Sequence, residues 1–416
     1  MQKEYAVSGL WQRAFDDSAM RDWAVELRRQ LLAPKVSLGL VFMTPQFFPV
    51  AAQILELIRV HGQAPLLAGC SSAGLIAGRR EWEEKPGVAV SLYSLPGADL
   101  RAWRFNQQQV EEAGSPAYWR SKTGLAPDQM NGWLVFADPY HLDAEAFLRG
   151  WNGAFPGRPV VGGLAVGDST EQTTQVYLNG DIFQEGGVAL GVGGAVELMS
   201  AVSQGCTPIG EAWIITKAEG NYIHEIAGRP AYEVLAETFG NLSSREQLQA
   251  RGNLFIGLVV NEYLEDFHRG DFLVRNILGA DPKSGSLAVG AWPRQGQTLQ
   301  FQRRDAAAAD EDMKSLLDRL AGQLRGRRVY GGCLCSCNGR GHRLFGQMDH
   351  DAALVQEKIG PLELTGFFCN GELGPIGDKT FLHSYTAALA LFAGKKLGES
   401  RRPDFMERAD WKNKGG

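Results

Sequence analysis

The chain has 416 residues, 44% of them hydrophobic, which is enough to bury a full core and predicts two or more domains of ordinary size. Its 42 basic and 47 acidic residues give a formal net charge of −5, so no broad basic surface is available for nucleic acid or an anionic membrane. We therefore expect neither of those partners.

The N-terminal sequence, MQKEYAVSGLWQRAF, lacks the basic start and the apolar core of a signal peptide. The longest apolar run, around residues 188–196, is far too short to span a bilayer. These features predict a cytoplasmic protein. Its six cysteines, spread through a long chain, are expected to stay reduced.

An internal duplication organises the first half of the chain. Each copy reads as a buried strand, a polar loop, a helix, and a second strand that proline introduces and glycine ends. A fixed offset between two copies indicates a duplicated unit. The matching pairs, all 94 residues apart, are 40-LVF-42 with 134-LVF-136, Pro65 with Pro159, and Gly69 with Gly163.

A looser third version of this pattern, from residue 329 to Gly366, predicts a C-terminal domain related to the N-terminal one. The predicted fold is α/β to α+β, with mixed sheets flanked by helices, because duplicated strand–helix–strand units are joined to further apolar strands. The predicted segments are an N-terminal helical segment (1–34), a duplicated domain (35–215), a second domain (216–394) and a polar tail (395–416).

The turn 69-GCSSAG-74 places Cys70, Ser71 and Ser72 at a predicted strand end. It departs from a nucleophile elbow, because Ala73 stands where that motif needs glycine, so we interpret it as a hydroxyl-rich binding turn. The chain also lacks a phosphate-binding loop and the full glycine pattern of a dinucleotide site. No cofactor is predicted.

Three cysteines alternate along one predicted strand at positions 333, 335 and 337. Zinc sites prefer at least two residues between cysteines, so no metal site is predicted, and small buried side chains are the favoured interpretation. Cys337, at the strand end, is also a candidate for a reactive or ligand-facing thiol.

Two glycine-punctuated turns near the C-terminus carry opposite charges. Gly339 and Gly341 flank Arg340, whose guanidinium is suited to grip a carboxylate through two hydrogen bonds. The second turn holds Asn370, Gly371 and Glu372. A site that used Arg340 for a carboxylate and Glu372 for an ammonium group would suit a zwitterion such as an amino acid. The alternative is that the two charges are surface residues or neutralise each other.

Two further candidates in this region have a functional and a structural interpretation. Asn370 could orient a ligand or simply stabilise its own turn. His383, which precedes an apolar segment interpreted as a helix, is a candidate proton carrier or a structural hydrogen-bonding residue.

The chain resembles the FIST family, whose FIST-N and FIST-C domains occur in signalling proteins. The resemblance rests on five segments of the sequence: 66-LLAGCSSAGLIAG-78, 220-GNYIHEIAGRPAYEVL-235, 337-CNGRG-341, 366-GFFCNGELGP-375 and 382-LHSYTAAL-389. The resemblance implies a sensory module for a small ligand such as an amino acid. Leu75 departs from the family pattern, which often has an acidic residue there, and the output domain is missing, so a separate signalling partner is expected.

Three hypotheses follow. In the first, the protein is a non-catalytic sensor that binds an amino acid or related carboxylate. In the second it is a hydrolase or acyl-transfer enzyme, with Cys337, Cys369 or Cys70 as nucleophile and His383 as base. In the third it is an interaction scaffold with an exposed apolar patch. We favour the sensor.

Overall fold

The computed structural model describes residues 3–168 and 170–396. Its main feature is one supersecondary unit that occurs three times: a strand, a helix, a parallel strand, a hairpin and a closing antiparallel strand. The strand–helix–strand crossovers place helices against one face of a sheet. The predicted mixed sheets flanked by helices, with a duplicated N-terminal domain and a related C-terminal domain, are confirmed.

The first unit precedes residue 94 and includes a short 3-10 helix at Pro45–Val50. Its elements are β1 (Ala6–Trp11), α1 (Asp17–Gln30), β2 (Leu38–Met43), α2 (Ala51–His61), β3 (Leu67–Ser71), β4 (Gly74–Ala77), β5 (Arg80–Glu83) and β6 (Val88–Tyr93). The predicted helical segment at 1–34 thus holds a strand as well as a helix, because β1 pairs with β6 along six residues.

The second unit repeats this order with two short helices before its first central strand. Its elements are β7 (Ala98–Phe105), α3 (Gln107–Glu112), α4 (Pro116–Thr123), β8 (Met130–Ala137), α5 (Ala144–Ala154), β9 (Val160–Leu164), β10 (Val176–Leu178), β11 (Asp181–Phe183) and β12 (Gly187–Gly194). Asp143 caps α5 by accepting from the Ala146 N–H at 2.8 Å.

The third unit is split by an insertion. Its first strand is β13 (Val196–Gln204). The insertion follows as β14 (Cys206–Glu219), β15 (Tyr222–Ile226), β16 (Arg229–Pro230), α6 (Ala231–Gly240), α7 (Ser244–Ala250), β17 (Leu254–Val259), β18 (Phe272–Asp281), β19 (Ser286–Val289) and β20 (Thr298–Arg304). The unit resumes with α8 (Ala306–Gln323), β21 (Val329–Cys337), α9 (His342–Phe345), α10 (His350–Ile359), β22 (Leu364–Cys369), β23 (Glu372–Ile376), β24 (Lys379–His383) and β25 (Thr386–Gly394).

The inserted strands form a closed barrel. Six antiparallel strands follow one another around it in the order β14, β20, β17, β18, β19 and β15, and β15 pairs back to β14. Closure leaves the barrel without free edges. Its interior is filled by branched aliphatic and aromatic side chains, among them Ile215, Ile256, Leu287 and Phe301.

The three units exchange their hairpins. Hairpin β4–β5 of the first unit extends the sheet of the third, where β4 pairs with β22. Hairpin β10–β11 of the second unit pairs with β3 of the first, and β23–β24 of the third pairs with β9 of the second. Each of the three six-stranded sheets therefore contains strands from two units, and the exchange links all three units into a ring.

The core lies where the three sheets face one another. Each unit contributes one phenylalanine to its centre, and the ring centroids lie 5.3 Å apart for Phe42 and Phe136, 4.5 Å for Phe42 and Phe367, and 5.8 Å for Phe136 and Phe367. Burying each ring contributes about 2 kcal/mol or more to stability.

Register along the parallel strands defines equivalent positions in the three units. Gly69, Gly162 and Gly366 each lie beside a carbonyl of the neighbouring strand, and a Cβ there would meet that oxygen at 1.7–1.9 Å. Gly69 is therefore equivalent to Gly162 rather than to Gly163, because β9 starts one residue earlier than the offset of 94 requires.

Two other sequence expectations fall in the C-terminal part. The apolar segment after His383 is strand β25 rather than a helix, since it pairs with both β13 and β21 in the third sheet. The predicted polar tail lies, from residue 397 onward, outside the described residues. Within residues 3–168 and 170–396, no helix has both the length and the apolarity needed to cross a membrane.

Candidate functional site

The three motifs singled out in the sequence meet at the carboxyl ends of the parallel strands. The Ala73 N–H donates to the Phe368 carbonyl at 3.2 Å, which joins the turn at 69–74 to β22. The Asn338 N–H donates to the Cys369 carbonyl at 2.9 Å, and its side-chain Nδ2 donates to Asn370 Oδ1 at 3.0 Å. The hairpin exchange is what brings the first unit to this place.

A cleft of about 130 Å³ opens beside these contacts, smaller than the pockets that hold drug-sized ligands and therefore suited only to a small molecule. Its lining residues are Ala73, Gly74, Glu83, Glu84, Asn338, Arg343 and Phe368. The Oδ1 atom of Asn338 is buried and has no hydrogen-bond partner in the described part of the chain. A buried amide oxygen without a donor is costly, so this atom is a natural acceptor for a ligand.

Charges of both signs line the cleft. Arg343 binds Glu84 through Nε and Nη2, at 2.9 and 2.5 Å, and both side chains are more than half exposed. The hydrogen bond from Arg343 lowers the pKa of Glu84. Glu83 is buried and accepts from the His342 N–H at 3.0 Å. Exposed ion pairs contribute little stability, so the ion pair between Arg343 and Glu84 can break at small cost and leave both side chains to bind a ligand.

Arg340 does not reach this cleft. It is fully buried and donates from Nε and Nη2 to the two oxygens of Asp351, at 2.7 and 3.0 Å. Burial by itself would raise the pKa of Asp351, but the guanidinium of Arg340 and a hydrogen bond with His350 hold it well below its usual range. Arg340 is thus paired with Asp351, and the structure does not join it with Glu372 as two ends of one ligand site.

Glu372 is also fully buried. One oxygen accepts from the Thr386 N–H and hydroxyl at 3.1 and 2.9 Å, and the other accepts from the Cys369 thiol at 3.4 Å. Burial raises the pKa of Glu372 to about 7, although the hydrogen bonds from Thr386 partly offset this rise. A carboxyl group with this pKa changes charge near neutral pH.

The other two units have apolar residues at the position of Glu372. In each unit, the residue after the equivalent glycine pairs with one residue of an exchanged hairpin. These pairs are Gly163 with Glu372, Phe367 with Leu75, and Cys70 with Val176. Leu75 is the position where the family pattern often has an acid. Leucine or valine would fill such a site at lower cost than a carboxyl group.

His383, the predicted base, bonds to Gly374 rather than to a predicted nucleophile, and Cys369 donates to Glu372 instead. Cys70 and Cys369 are fully buried, and burial raises the pKa of each thiol well above its ordinary value. Cys337 is half-buried, and burial together with Glu372 raises its pKa to about 12. Buried His383 bonds through Nε2 to the Gly374 carbonyl at 2.9 Å, and its pKa falls to about 4 by burial. Little thiolate forms under such conditions at neutral pH.

The remaining predicted residues serve the turns. Ser71 and Ser72 are buried, and Ser71 Oγ accepts from the Gln175 N–H at 3.0 Å. Gly341 and Gly371 have positive φ, at 61° and 145°, a region that favours glycine. A Cβ at Gly339 would lie 2.8 Å from the guanidinium of Arg304, so a larger residue there would displace this flexible side chain.

Four residues that line the cleft were not predicted as ligand-binding residues from the sequence: Glu83, Glu84, Asn338 and Arg343. Asn338 lies inside the 337-CNGRG-341 motif, so its placement could have been found. Glu83 and Glu84 carried no such signal, because they reach the third unit only through the exchanged hairpin. Among the residues that the structure covers, no cluster of three or more His, Cys, Asp or Glu side chains could hold a metal ion.

Comparison with known proteins agrees with this architecture. The model of the FIST N domain matches residues 37–229, and that of the FIST C domain matches residues 231–375. The chain belongs to the FIST family. FIST domains are small-ligand sensory modules of signalling proteins, which gives the general class of this protein.

Relatives extend over most of the chain. An uncharacterized protein of Mycobacterium tuberculosis is 36% identical over 375 residues, which cover 90% of this FIST protein and 96% of the relative. An uncharacterized protein of Mycobacterium bovis is 37% identical over 371 residues, 89% of this chain and 94% of that one. Among solved structures, a cyanuric acid hydrolase from A. caulinodans aligns over 94% of this chain and 99% of its own, with 9% identity. Its TM-score of 0.36 is too low to support an argument about activity.

Proposed function

We propose that this FIST protein is a sensor that binds a small zwitterion, an amino acid or a related carboxylate, in the cleft beside Asn338. The observation that carries the proposal is the combination of opposite charges with an unpartnered buried amide oxygen in one cleft. A zwitterion would satisfy all three groups at once.

The carboxylate of the ligand would bind Arg343. A guanidinium offers two parallel N–H donors that match the two oxygens of a carboxylate. Arg343 now donates from both Nε and Nη2 to a single oxygen of Glu84. Glu84, once released, would be available to the ligand ammonium group, together with Asn338 Oδ1, whereas both oxygens of Glu83 stay with His342. The exchange costs one exposed ion pair and gains charged hydrogen bonds in a partly desolvated site.

The residues predicted from the sequence take supporting roles in this proposal. The buried pair of Arg340 and Asp351 fixes the turn between Asn338 and Arg343. Asn370 orients the Asn338 amide by accepting from its Nδ2. Location in the cytoplasm and a separate signalling partner stay predictions from the sequence.

The test is a thermal-shift screen of the purified protein against amino acids and related carboxylates. A ligand that binds the native state raises the melting temperature, by an amount set by its concentration relative to Kd. We expect a selective rise, at least tenfold weaker affinity in Arg343→Ala and in Asn338→Ala, and unchanged binding in Arg101→Ala. Arg101 is a matched control, because it forms an exposed ion pair with Asp99 on another sheet.

Two outcomes would contradict the proposal. The first is a ligand whose affinity stays the same in Arg343→Ala, which would place its site elsewhere. The second is the absence of any rise across the panel, which would leave the cleft without a zwitterionic ligand.

A further inference from the structure

The inserted barrel has an irregular mouth beside helix α6. On β14, Ile209 pairs with Phe301 and Trp213 pairs with Leu299, so three residues of β14 stand opposite the single residue Gln300. Gly210 takes a positive φ of 65° at the start of this bulge, and its carbonyl accepts from Gln300 Nε2 at 2.8 Å. Bulges of this kind re-aim side chains and are common beside binding sites.

The bulge opens a cavity of about 270 Å³ between β14 and α6. It is lined by Gly210, Glu211, Trp213, Val234, Glu237, Thr238, Asn241 and Leu242. On the helix side, Val234, Glu237 and Thr238 recur at spacings of three and four residues, so they share one face of α6. The cavity therefore brings together an indole ring, aliphatic walls and two exposed carboxylates.

Trp213 has an unused hydrogen-bond donor. Its indole Nε1 is buried and has no acceptor among the residues that the structure describes. A buried N–H of this kind normally finds a partner, and a ligand that brings an oxygen atom into the cavity would supply one.

The electrostatics of the cavity favour a cation. The side chain of Glu211 forms no hydrogen bond or ion pair within residues 3–168 and 170–396. The carboxylate of Glu237, among the same residues, forms an ion pair with Arg229 only. The carboxyl end of α6, at Gly240, adds the partial negative charge of a helix terminus. The face of an indole ring also attracts organic cations, and tryptophan is the aromatic side chain best suited to this.

We propose that the barrel mouth is a second binding site, for a small organic ammonium ion that carries an oxygen acceptor. The ammonium group stacks on Trp213 and faces Glu211, its alkyl groups contact Val234 and Leu242, and its oxygen accepts from Trp213 Nε1. This site lies on different elements from the cleft at Asn338 and does not depend on it.

Isothermal titration of the full-length protein tests the site with two probes of the same shape. Choline carries the positive charge and a hydroxyl oxygen, and 3,3-dimethylbutan-1-ol is its neutral carbon analogue. We expect choline to bind and the neutral analogue to bind at least tenfold more weakly. Glu211→Gln should weaken choline binding severalfold, and Trp213→Ala should abolish it.

Two controls keep the result interpretable. Trp213→Phe retains an aromatic ring but lacks the N–H, so it should fold normally and bind choline more weakly than the wild type. Trp292→Ala removes an exposed tryptophan outside the cavity and Arg343→Ala alters the other cleft, and neither should change choline affinity. No measurable choline binding, equal binding of both probes, or full binding by Trp213→Ala would each overturn the proposal.

Discussion

The carboxyl group of Glu372 occupies a position that is apolar in the other two units. Leu75 and Val176 show that the fold accepts aliphatic side chains there. The buried carboxyl group of Glu372 forms hydrogen bonds with Thr386 and Cys369, and its pKa of about 7 reflects the cost of charging it away from water. Its chemistry thus makes the core of the third unit sensitive to pH.

Replacing Glu372 by glutamine should flatten the dependence of stability on pH. Because burial raises the pKa from 4.5 to about 7, the folded state holds the proton more tightly than the unfolded chain. Stability is then fully present below the unfolded pKa and is lost as pH rises through 7, by about 3 kcal/mol in all. Urea unfolding at pH 5 to 9 measures this, and we expect Glu372→Gln to be more stable than the wild type at pH 8.

The control for this experiment is Glu56→Gln, which changes an exposed glutamate on α2 and should keep the wild-type profile. Glu81 gives a residual dependence of the same sign, since burial and the neighbouring Asp351 raise its pKa to about 8. An unchanged slope in Glu372→Gln between pH 5 and 7 would show that the pKa of this carboxyl group is not raised in the folded state.

Replacing Arg340 by alanine should destabilise the fold, because this arginine is buried against Asp351. The change leaves the buried carboxylate of Asp351 without its cation, which costs about 3–5 kcal/mol. The double variant Arg340→Met with Asp351→Leu removes both charges and should recover most of that loss. Chemical denaturation of the three proteins provides the comparison, and a single variant as stable as the wild type would contradict the structure of this pair.

At the scale of elements, the parallel strands approach one another so closely that only glycine fits at one position. A Cβ at Gly366 would lie 1.9 Å from the Leu334 carbonyl, which is backbone and cannot rotate away. We expect Gly366→Ala to lower the free energy of unfolding by about 3 kcal/mol or more. Gly240→Ala is the control, because the structure describes no atom within 4 Å of a Cβ at that position. Equal melting temperatures for the two variants would count against the strand register.

The secondary-structure elements could be predicted from the sequence, but the pairing between distant strands could not. The spacing of apolar residues, together with the turn residues, was sufficient to predict the strand–helix–strand units, the duplication and the turn that holds Asn338. Hairpin exchange could not be predicted, since β4 carries no signal that its partner β22 lies 290 residues away. The segment after His383 is apolar on both faces, as buried strands are, and periodicity alone does not separate such a strand from a buried helix.

At the scale of the whole molecule, the third unit is assembled from both family domains. Strand β13 lies within the part matched by the FIST N model, yet it pairs along nine residues with β25 near the C-terminus. The barrel is divided as well, because β14 and β15 precede residue 230 and their partners β20 and β19 follow it. The two sequence domains are therefore not two independent folding units.

Separate expression of residues 1–229 and 230–416 tests this conclusion. Each fragment would expose unpaired strand edges and a broken barrel, so alone we expect each to be insoluble or to lack a cooperative thermal transition. Co-expressed, the fragments should assemble, co-purify at equal stoichiometry and unfold in one transition, because the exchanged hairpins and β13 hold them together. A fragment that unfolds cooperatively as a monomer by itself would show that the family boundary is also a boundary between folding units.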